Sequence, residues 1–146
     1  MRLIWKEMIT IYFDGLCYPR NPGGVAAYGY LIYCGNELMH NGCGVVGEGI
    51  GMTNNMAEYE GLKAALWWLN EKGIRDKIEI RGDSQLVIKQ LKGEWQIRSE
   101  TSRKYAPKIQ RLLEGKEVSF VWIRRDENEA ADRLSRKAYE SYKKRI

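Results

Sequence analysis

Alternating apolar and polar positions near the start of the chain predict three β-strands. Met8–Phe13 alternates and is rich in residues that favour β-structure, and Val25–Cys34 and Leu38–Val46 continue this pattern after a proline- and glycine-rich loop. The dipeptide Gly35-Asn36 separates the last two segments, as a turn does. We therefore expect an antiparallel meander of three strands.

The period of the apolar positions changes from Asn55 onward and predicts a helix. Apolar side chains now recur every three or four residues, which is typical of an amphipathic helix, and Gly73 stands where a helix C-cap is expected. The repeat consists of Met56, Tyr59, Leu62, Ala65, Leu66 and Leu69.

The remainder of the chain alternates between the two patterns. Lys77–Arg81 predicts a strand, and Gln85–Leu91 predicts a helix that is capped by Ser84 and closed by Gly93. Ser99–Glu114 is helical in pattern, but we expect Pro107 to kink or split it because proline lacks the amide donor. A strand over Glu117–Ile123 and a helix over Asn128–Lys143 complete the order β-β-β-α-β-α-α-β-α.

Four carboxylates occupy telling positions in this pattern. Asp14 follows one strand-like run in IYFDG, and Asp83 follows another in RGDSQLV. Glu58 in TNNMAEYEGL and Asp132 in NEAADRLS lie in the first turns of helices. Carboxylates that converge in space repel one another unless cations neutralise them, and a cluster without His or Cys favours Mg²⁺ or Mn²⁺ over zinc. Two such ions suit phosphodiester hydrolysis.

Composition bounds the class of protein. A chain of 146 residues with 44% apolar content and no linker fits one domain, which we place at 8–146 after an N-terminal extension at 1–7. No apolar run approaches about 18 residues, and Met1–Met8 lacks the features of a signal peptide, so we expect a soluble, cytoplasmic protein. Nothing requires more than a monomer. Three cysteines and one histidine suggest neither a disulfide framework nor a zinc site.

Charge is distributed unevenly along the chain. The net charge is +5, with 7 basic against 9 acidic residues up to position 80 and 17 against 10 thereafter. A basic half beside an acidic centre suits a polyanion held next to bound cations. Because basic surfaces are common, charge alone argues only weakly for nucleic acid.

The motifs resemble those of type 1 ribonuclease H. IYFDG with its glycine-rich loop, TNNMAE, GDSQLV and ENEAADRLS follow the family order over about Ile9–Tyr142, and they are most similar to compact archaeal-type members. The resemblance implies an α/β ribonuclease H-like fold with a mixed five-stranded sheet flanked by helices. It also implies an Mg²⁺-dependent endonuclease that cleaves the RNA strand of RNA/DNA hybrids with two metal ions, leaving 5′-phosphate and 3′-hydroxyl ends, with Mn²⁺ as a possible substitute.

The resemblance assigns a role to each carboxylate. Asp14 would bridge both ions, Asp132 would hold the ion that activates water, and Glu58 with Asp83 would hold the other. Taken singly, Asp132 could be a surface acid and Glu58 a first-turn carboxylate favoured by the helix dipole. Arg125 stands in the flexible loop before the last helix, where many bacterial relatives carry histidine. It cannot act as a general base, but it can bind phosphate and assist product release, or it could be a solvated loop arginine.

The resemblance also indicates substrate contacts. Side-chain amides can recognise the 2′-hydroxyl because they both donate and accept hydrogen bonds, although asparagines before a helix could merely start it. This chain lacks the inserted basic helix of many bacterial relatives and has Leu16 where they carry serine. The candidate substrate-binding residues are Cys17, Asn21, Thr53, Asn54, Asn55 and Gln85.

Two rival interpretations remain open. Another nuclease of the same fold, such as a junction resolvase or an integrase-like enzyme, would also use acids and Mg²⁺, but the TNN-x-x-E and DSQ contexts argue against it. A non-catalytic hybrid-binding module is possible because fold does not dictate activity, although such modules usually lose at least one carboxylate.

Overall fold

The protein is a mixed five-stranded sheet with helices on both faces. We describe residues 8–75 and 77–145 of a computed structural model; the extension assigned to residues 1–7 lies outside these ranges. The strands are β1 (Ile9–Tyr18), β2 (Val25–Cys34), β3 (Glu37–Glu48), β4 (Ile78–Gly82) and β5 (Val118–Trp122). The helices are α1 (Asn54–Glu71), α2 (Gln85–Lys92), α3 (Glu100–Leu112) and α4 (Glu129–Arg145), the last preceded by a 3₁₀ turn, Arg125–Glu127.

The sheet has the order β3-β2-β1-β4-β5. Strands β1, β2 and β3 pair antiparallel, which confirms the predicted meander, whereas β4 pairs parallel with both β1 and β5. The predicted order of strands and helices is confirmed, and only the 3₁₀ turn was not predicted. The central strand β1 therefore joins the antiparallel and parallel halves of the sheet.

Two local expectations need correction. Strand β1 continues through Cys17 and Tyr18, which were expected in the loop, because these residues still pair with Ala26 and Val25 across the hairpin. Helix α3 is not split at Pro107. The proline lies on the exposed side of the helix, where the carbonyl four residues earlier can bind water, while Tyr105 and Ile109 on the opposite side remain buried.

The main core lies between the sheet and helices α1, α2 and α3. It includes Ile9, Ile11 and Phe13 from β1, each fully buried. Burial of one such side chain contributes about 1.5–3 kcal/mol. Helix α4 packs against β2, β3 and β1, and its buried positions carry small side chains such as Ala131 and Ala138. The sheet is thus covered on both faces at the position of β1.

In the described ranges, we find no helix that combines the length and the apolar character needed to cross a membrane.

Candidate active site

Two glycines bring helices from both sides of the sheet up to Asp14. Gly15 follows Asp14 in β1, and a methyl group there would lie 2.6 Å from the carbonyl carbon of Ala57 in α1. Gly29 pairs with Asp14 across the sheet, and a methyl group there would lie 2.6 Å from the carbonyl oxygen of Ala131 in α4. Both separations are too short for any larger residue, so glycine is required for the close helix approach.

These contacts gather the predicted carboxylates. One oxygen each of Asp14, Glu58 and Asp83 lies within 4.8 Å of the other two. Asp132, one helical turn into α4, is outside this trio but lines the same cavity of about 630 Å³, as does Arg125. The sequence-predicted acids therefore converge beside the central strand β1, although three of them lie closer together than the fourth.

Burial and mutual repulsion make ionisation of the inner acids unfavourable. Burial, followed by the charge of Asp83, raises the pKa of Asp14 from 3.8 to about 7. Burial, followed by the charges of Asp14 and Asp83, raises the pKa of Glu58 well above its ordinary value of 4.5. A hydrogen bond between the two carboxyl groups favours a shared proton. In the absence of cations, this pair retains protons that exposed acids release.

The donor set fits hard divalent cations. It consists of carboxylate oxygens without His or Cys, which are the ligands that Mg²⁺ and Mn²⁺ prefer. In the described residues, the buried Oε2 of Glu58 has no hydrogen-bond partner, and leaving a buried acceptor unpaired is costly. A cation beside Glu58 would satisfy this oxygen and remove the repulsion among the acids.

Asp83 is oriented by a residue that the sequence did not single out. The buried Asn128 donates through Nδ2 to Oδ2 of Asp83 at 2.8 Å and to the carbonyl oxygen of Phe13 at 2.9 Å. The indole Nε1 of Trp122 donates to the carbonyl oxygen of Asp83 at 3.0 Å. Asn128 thus links the residue after β4 to β1 beside the acids. In the sequence, only its place within the ENEAADRLS motif could have indicated this role.

Asp132 is held differently, by an ion pair within its own helix. Nε of Arg136, one turn further along α4, lies 3.2 Å from Oδ2 of Asp132. Both side chains are partly exposed, so the pair contributes only about 0–1 kcal/mol. Arg125 belongs to the 3₁₀ turn rather than to an open loop, and it lines the cavity beside the acids.

Two of the six predicted substrate residues, Cys17 and Asn54, line the cavity, and the other four do not. Thr53 is the N-cap of α1, where its Oγ1 accepts from the amide of Met56 at 3.1 Å. Asn54 and Asn55 are the first two helical residues, and Gln85 is the exposed first residue of α2. In the described residues, no hydrogen bond occupies the side-chain amides of these three, so they remain available to a ligand.

The other two candidate substrate residues, Asn21 and Cys17, lie in the hairpin of β1 and β2. The Oδ1 of Asn21 accepts from the amide of Asn54 at 3.2 Å, which fixes the loop against the start of α1. The thiol of Cys17 donates to the carbonyl oxygen of Arg20 at 3.1 Å, and the side chain lines the cavity. Leu16 also lines the cavity, at the position where many bacterial relatives carry the hydroxyl of a serine.

Comparison with known proteins identifies relatives of this arrangement. A family model described as reverse transcriptase-like matches residues 17–138. The ribonuclease HI of Halobacterium salinarum is 40% identical over 135 residues, which is 89% of this chain and 63% of that protein. The chain therefore spans less than two thirds of the length of this curated relative.

Solved structures agree with the sequence matches. The crystal structure of RNase H1 from Halobacterium salinarum NRC-1 superposes with a TM-score of 0.81 at 37% identity, covering 92% of this chain and 98% of that one. LC11-RNase H1 in complex with an RNA/DNA hybrid gives a TM-score of 0.83 at 30% identity, with the same coverage. Both the fold and the sequence thus match along nearly the whole of these two structures.

Proposed function

The chain belongs to the type 1 ribonuclease H family, and on this basis we propose that it is a divalent-metal-dependent endonuclease that hydrolyses the RNA strand of RNA/DNA hybrids. The observation that carries the proposal is the convergence of Asp14, Glu58 and Asp83 within 4.8 Å, with Asp132 on the same cavity. The family uses divalent metal ions, and this cluster is compatible with them. We assign the catalytic domain to residues 8–146.

The proposed cations are two Mg²⁺ ions, for which Mn²⁺ can substitute, because all the ligands are hard oxygen donors. When bound, such ions would supply an activated water and stabilise the leaving oxygen of the phosphodiester. Asp14, Glu58, Asp83 and Asp132 would hold them. Asp14 is the natural shared ligand because it lies on the central strand, between the helices that carry Glu58 and Asp132.

The residues around the acids would bind and orient the hybrid. The amides of Asn54, Asn55 and Gln85 can donate to and accept from 2′-hydroxyl groups and base edges in the minor groove. The hydroxyl of Thr53 accepts from Met56, so its own hydrogen can be donated to a phosphate oxygen. Asn21, in the loop after β1, and Cys17, near the end of β1, would also contact the hybrid.

Arg125 would act on phosphate rather than on protons. Its guanidinium stays charged at neutral pH, so it cannot accept the proton of an attacking water. Since it lines the cavity with the acids, it can bind the scissile phosphate or the 5′-phosphate of the product. Cleavage would leave 5′-phosphate and 3′-hydroxyl ends, and we propose that the enzyme acts as a monomer.

The proposal is tested by cleavage of one labelled sequence prepared as RNA/DNA hybrid, duplex RNA and duplex DNA, with Mg²⁺ and with EDTA. We expect Mg²⁺-dependent cutting of the RNA strand in the hybrid alone. Binding without cutting would favour the non-catalytic module, and cutting of duplex DNA would favour a resolvase-like nuclease. Asp83→Asn should abolish turnover with the fold intact, whereas the matched variant Asp126→Asn, an exposed acid paired with Arg124, should remain active.

A further inference from the structure

A second cavity lies away from the acids, between α1, α3 and the face of the sheet. Its volume is about 750 Å³, within the range of roughly 300–1,000 Å³ that holds small ligands. Lys63 and Trp67 of α1 line one side, four residues apart and therefore on one helix face, and Lys108 and Arg111 of α3 line the other. We call this cavity the α1–α3 groove.

The groove combines an accessible aromatic ring with positive charge. Trp67 is 58% exposed, and in the described residues its indole forms no hydrogen bond or ring contact. By contrast, the neighbouring Trp68 is packed, because its ring stacks on His40 at 4.4 Å. An exposed indole without a ring partner offers a face on which a planar ligand can stack, and its place in a basic groove suits a nucleic-acid base.

The positive charge of the groove is only partly compensated, by an ion pair between Lys63 and Glu60. None of the described residues that line it is acidic. The nearby Glu60 is already engaged, since its Oε2 accepts from the hydroxyl of Tyr105 at 2.6 Å and from Lys63 at 3.3 Å. The ammonium groups of Lys63, Lys104 and Lys108 all lie 5.4–5.8 Å from the centre of the Tyr105 ring, which concentrates cations along this edge.

The groove is distinct from the acid cluster. Trp67 follows Glu58 by nine residues in α1, which places it about 13 Å further along the axis and on the opposite side of the helix. A duplex over the acids would not place its stacked bases against Trp67. An unpaired strand can, because its bases are exposed and its backbone is flexible enough to follow a basic groove.

We propose that the α1–α3 groove binds single-stranded nucleic acid, with a base stacked on Trp67 and phosphates held by Lys63, Lys108 and Arg111. The inference concerns binding and does not depend on the proposed catalysis. Such a site would let the protein hold an unpaired strand that extends from its substrate. In this chain, residues 93–99 join α2 directly to α3, without the inserted basic helix of many bacterial relatives. The groove would supply basic contacts in place of that helix.

Binding of a fluorescein-labelled oligo(dT) followed by anisotropy in EDTA tests the proposal. Loss of one base–aromatic stack should raise the Kd of Trp67→Ala by at least about fivefold. The matched variant Trp95→Ala removes another exposed tryptophan and should bind as wild type does. An unchanged Kd for Trp67→Ala, or an equal loss in Trp95→Ala, would overturn the proposal.

The electrostatic part has its own test. The triple variant K63Q/K108Q/R111Q should make the slope of log K against log salt shallower by about 2, since each phosphate contact on a single strand contributes about 0.7. The variant K143Q/K144Q/R145Q removes the same charge from the end of α4 and should leave the slope unchanged. Unlabelled oligo(dT) should compete, whereas equal competition by duplex DNA would show a general phosphate surface and contradict a single-strand site. Circular dichroism confirms folding of each variant.

Discussion

Asp14 and Glu58 lie inside the protein, whereas Asp83 and Asp132 lie partly exposed around them, and the two pairs are stabilised by different means. The inner pair, Asp14 and Glu58, is crowded, protonated more readily than exposed acids, and leaves one oxygen unsatisfied. The outer pair, Asp83 and Asp132, is bound by the side chains of Asn128 and Arg136, whereas the inner pair accepts only from the backbone amide of Gly15 among the described donors outside the pair. A bound cation would therefore stabilise the inner pair more than the outer pair, whose side chains the protein already orients.

The largest effect should come from breaking the inner pair. Asp14→Asn should lower cleavage by at least about 10³-fold, because loss of a shared ligand removes several kcal/mol of transition-state stabilisation. The same change should raise the melting temperature of the metal-free protein by several degrees at pH 8, since it removes a buried repulsive charge. Kinetic assays and thermal melts measure both.

Asp83→Asn is the comparison for that experiment. It should also abolish turnover but stabilise the metal-free protein less, because it weakens the hydrogen bond that Asp83 accepts from Asn128. Equal stabilisation by both variants would erase the distinction between the inner and outer pairs.

Metal binding should remove the repulsion between the carboxylates of the inner pair and so stabilise the fold. Because Mg²⁺ would bind the folded protein and not the unfolded chain, a concentration 100 times its Kd should add about 2.7 kcal/mol to the free energy of unfolding. Differential scanning calorimetry with and without Mg²⁺ measures this gain. Glu58→Gln should lose most of it, and the exposed variant Glu37→Gln, on β3, should keep it. No stabilisation of the wild type would contradict a metal centre.

A smaller loss of activity should follow when Asp83, in the outer pair, loses the hydrogen bond from Asn128. Asn128→Ala leaves every carboxylate in place but removes the donor that orients Asp83, so we expect activity or metal affinity to fall by about 10–100-fold. The Mg²⁺ dependence of cleavage separates this role from a purely structural one. If the residue only supports the fold, activity should return at low temperature with an unchanged Mg²⁺ requirement, whereas a positioning role predicts a raised Mg²⁺ requirement even where the variant is fully folded.

The inner pair also predicts how the stability of the metal-free protein depends on pH. The pKa of Asp14 is raised from 3.8 to about 7, so between these values the folded state keeps a proton that the unfolded chain has released. The contribution of Asp14 to the free energy of unfolding should therefore fall as pH rises through this window and level off above it. Urea titrations of wild type and Asp14→Asn measure the difference, which should grow in favour of the variant from pH 4 to pH 7. A constant difference would show that Asp14 titrates normally.

Sequence periodicity was sufficient for the order of elements because each strand and helix buries a face along its own length. The acids were also predictable, since Asp14 and Asp83 interrupt or follow apolar strands. Gly29 was not, because its place opposite Asp14 depends on the register of a hairpin rather than on a local pattern. The role of Asn128 was not predicted for the same reason, because it depends on a contact with Asp83, 45 positions away in the chain.

The α1–α3 groove was also beyond the reach of sequence. Lys63 and Trp67 share a helix face by their spacing, and so do Lys108 and Arg111, but neither spacing indicates that the two faces meet. Their meeting depends on how α3 packs against α1, with Tyr105 stacked on Tyr59 at 5.5 Å. What could not be predicted from sequence was thus mainly which side chains of different helices and strands come into contact.

The glycine contacts at Gly15 and Gly29 have a consequence for the order in which activity is acquired during folding. One contact seats the helix that carries Glu58 and the other seats the helix that carries Asp132, on opposite faces of the sheet. A partly folded chain in which α4 had not docked would hold only three of the four acids. The proposed turnover would then begin only once α4 has docked, so nuclease activity would report the fraction of chains in which both helices are in place.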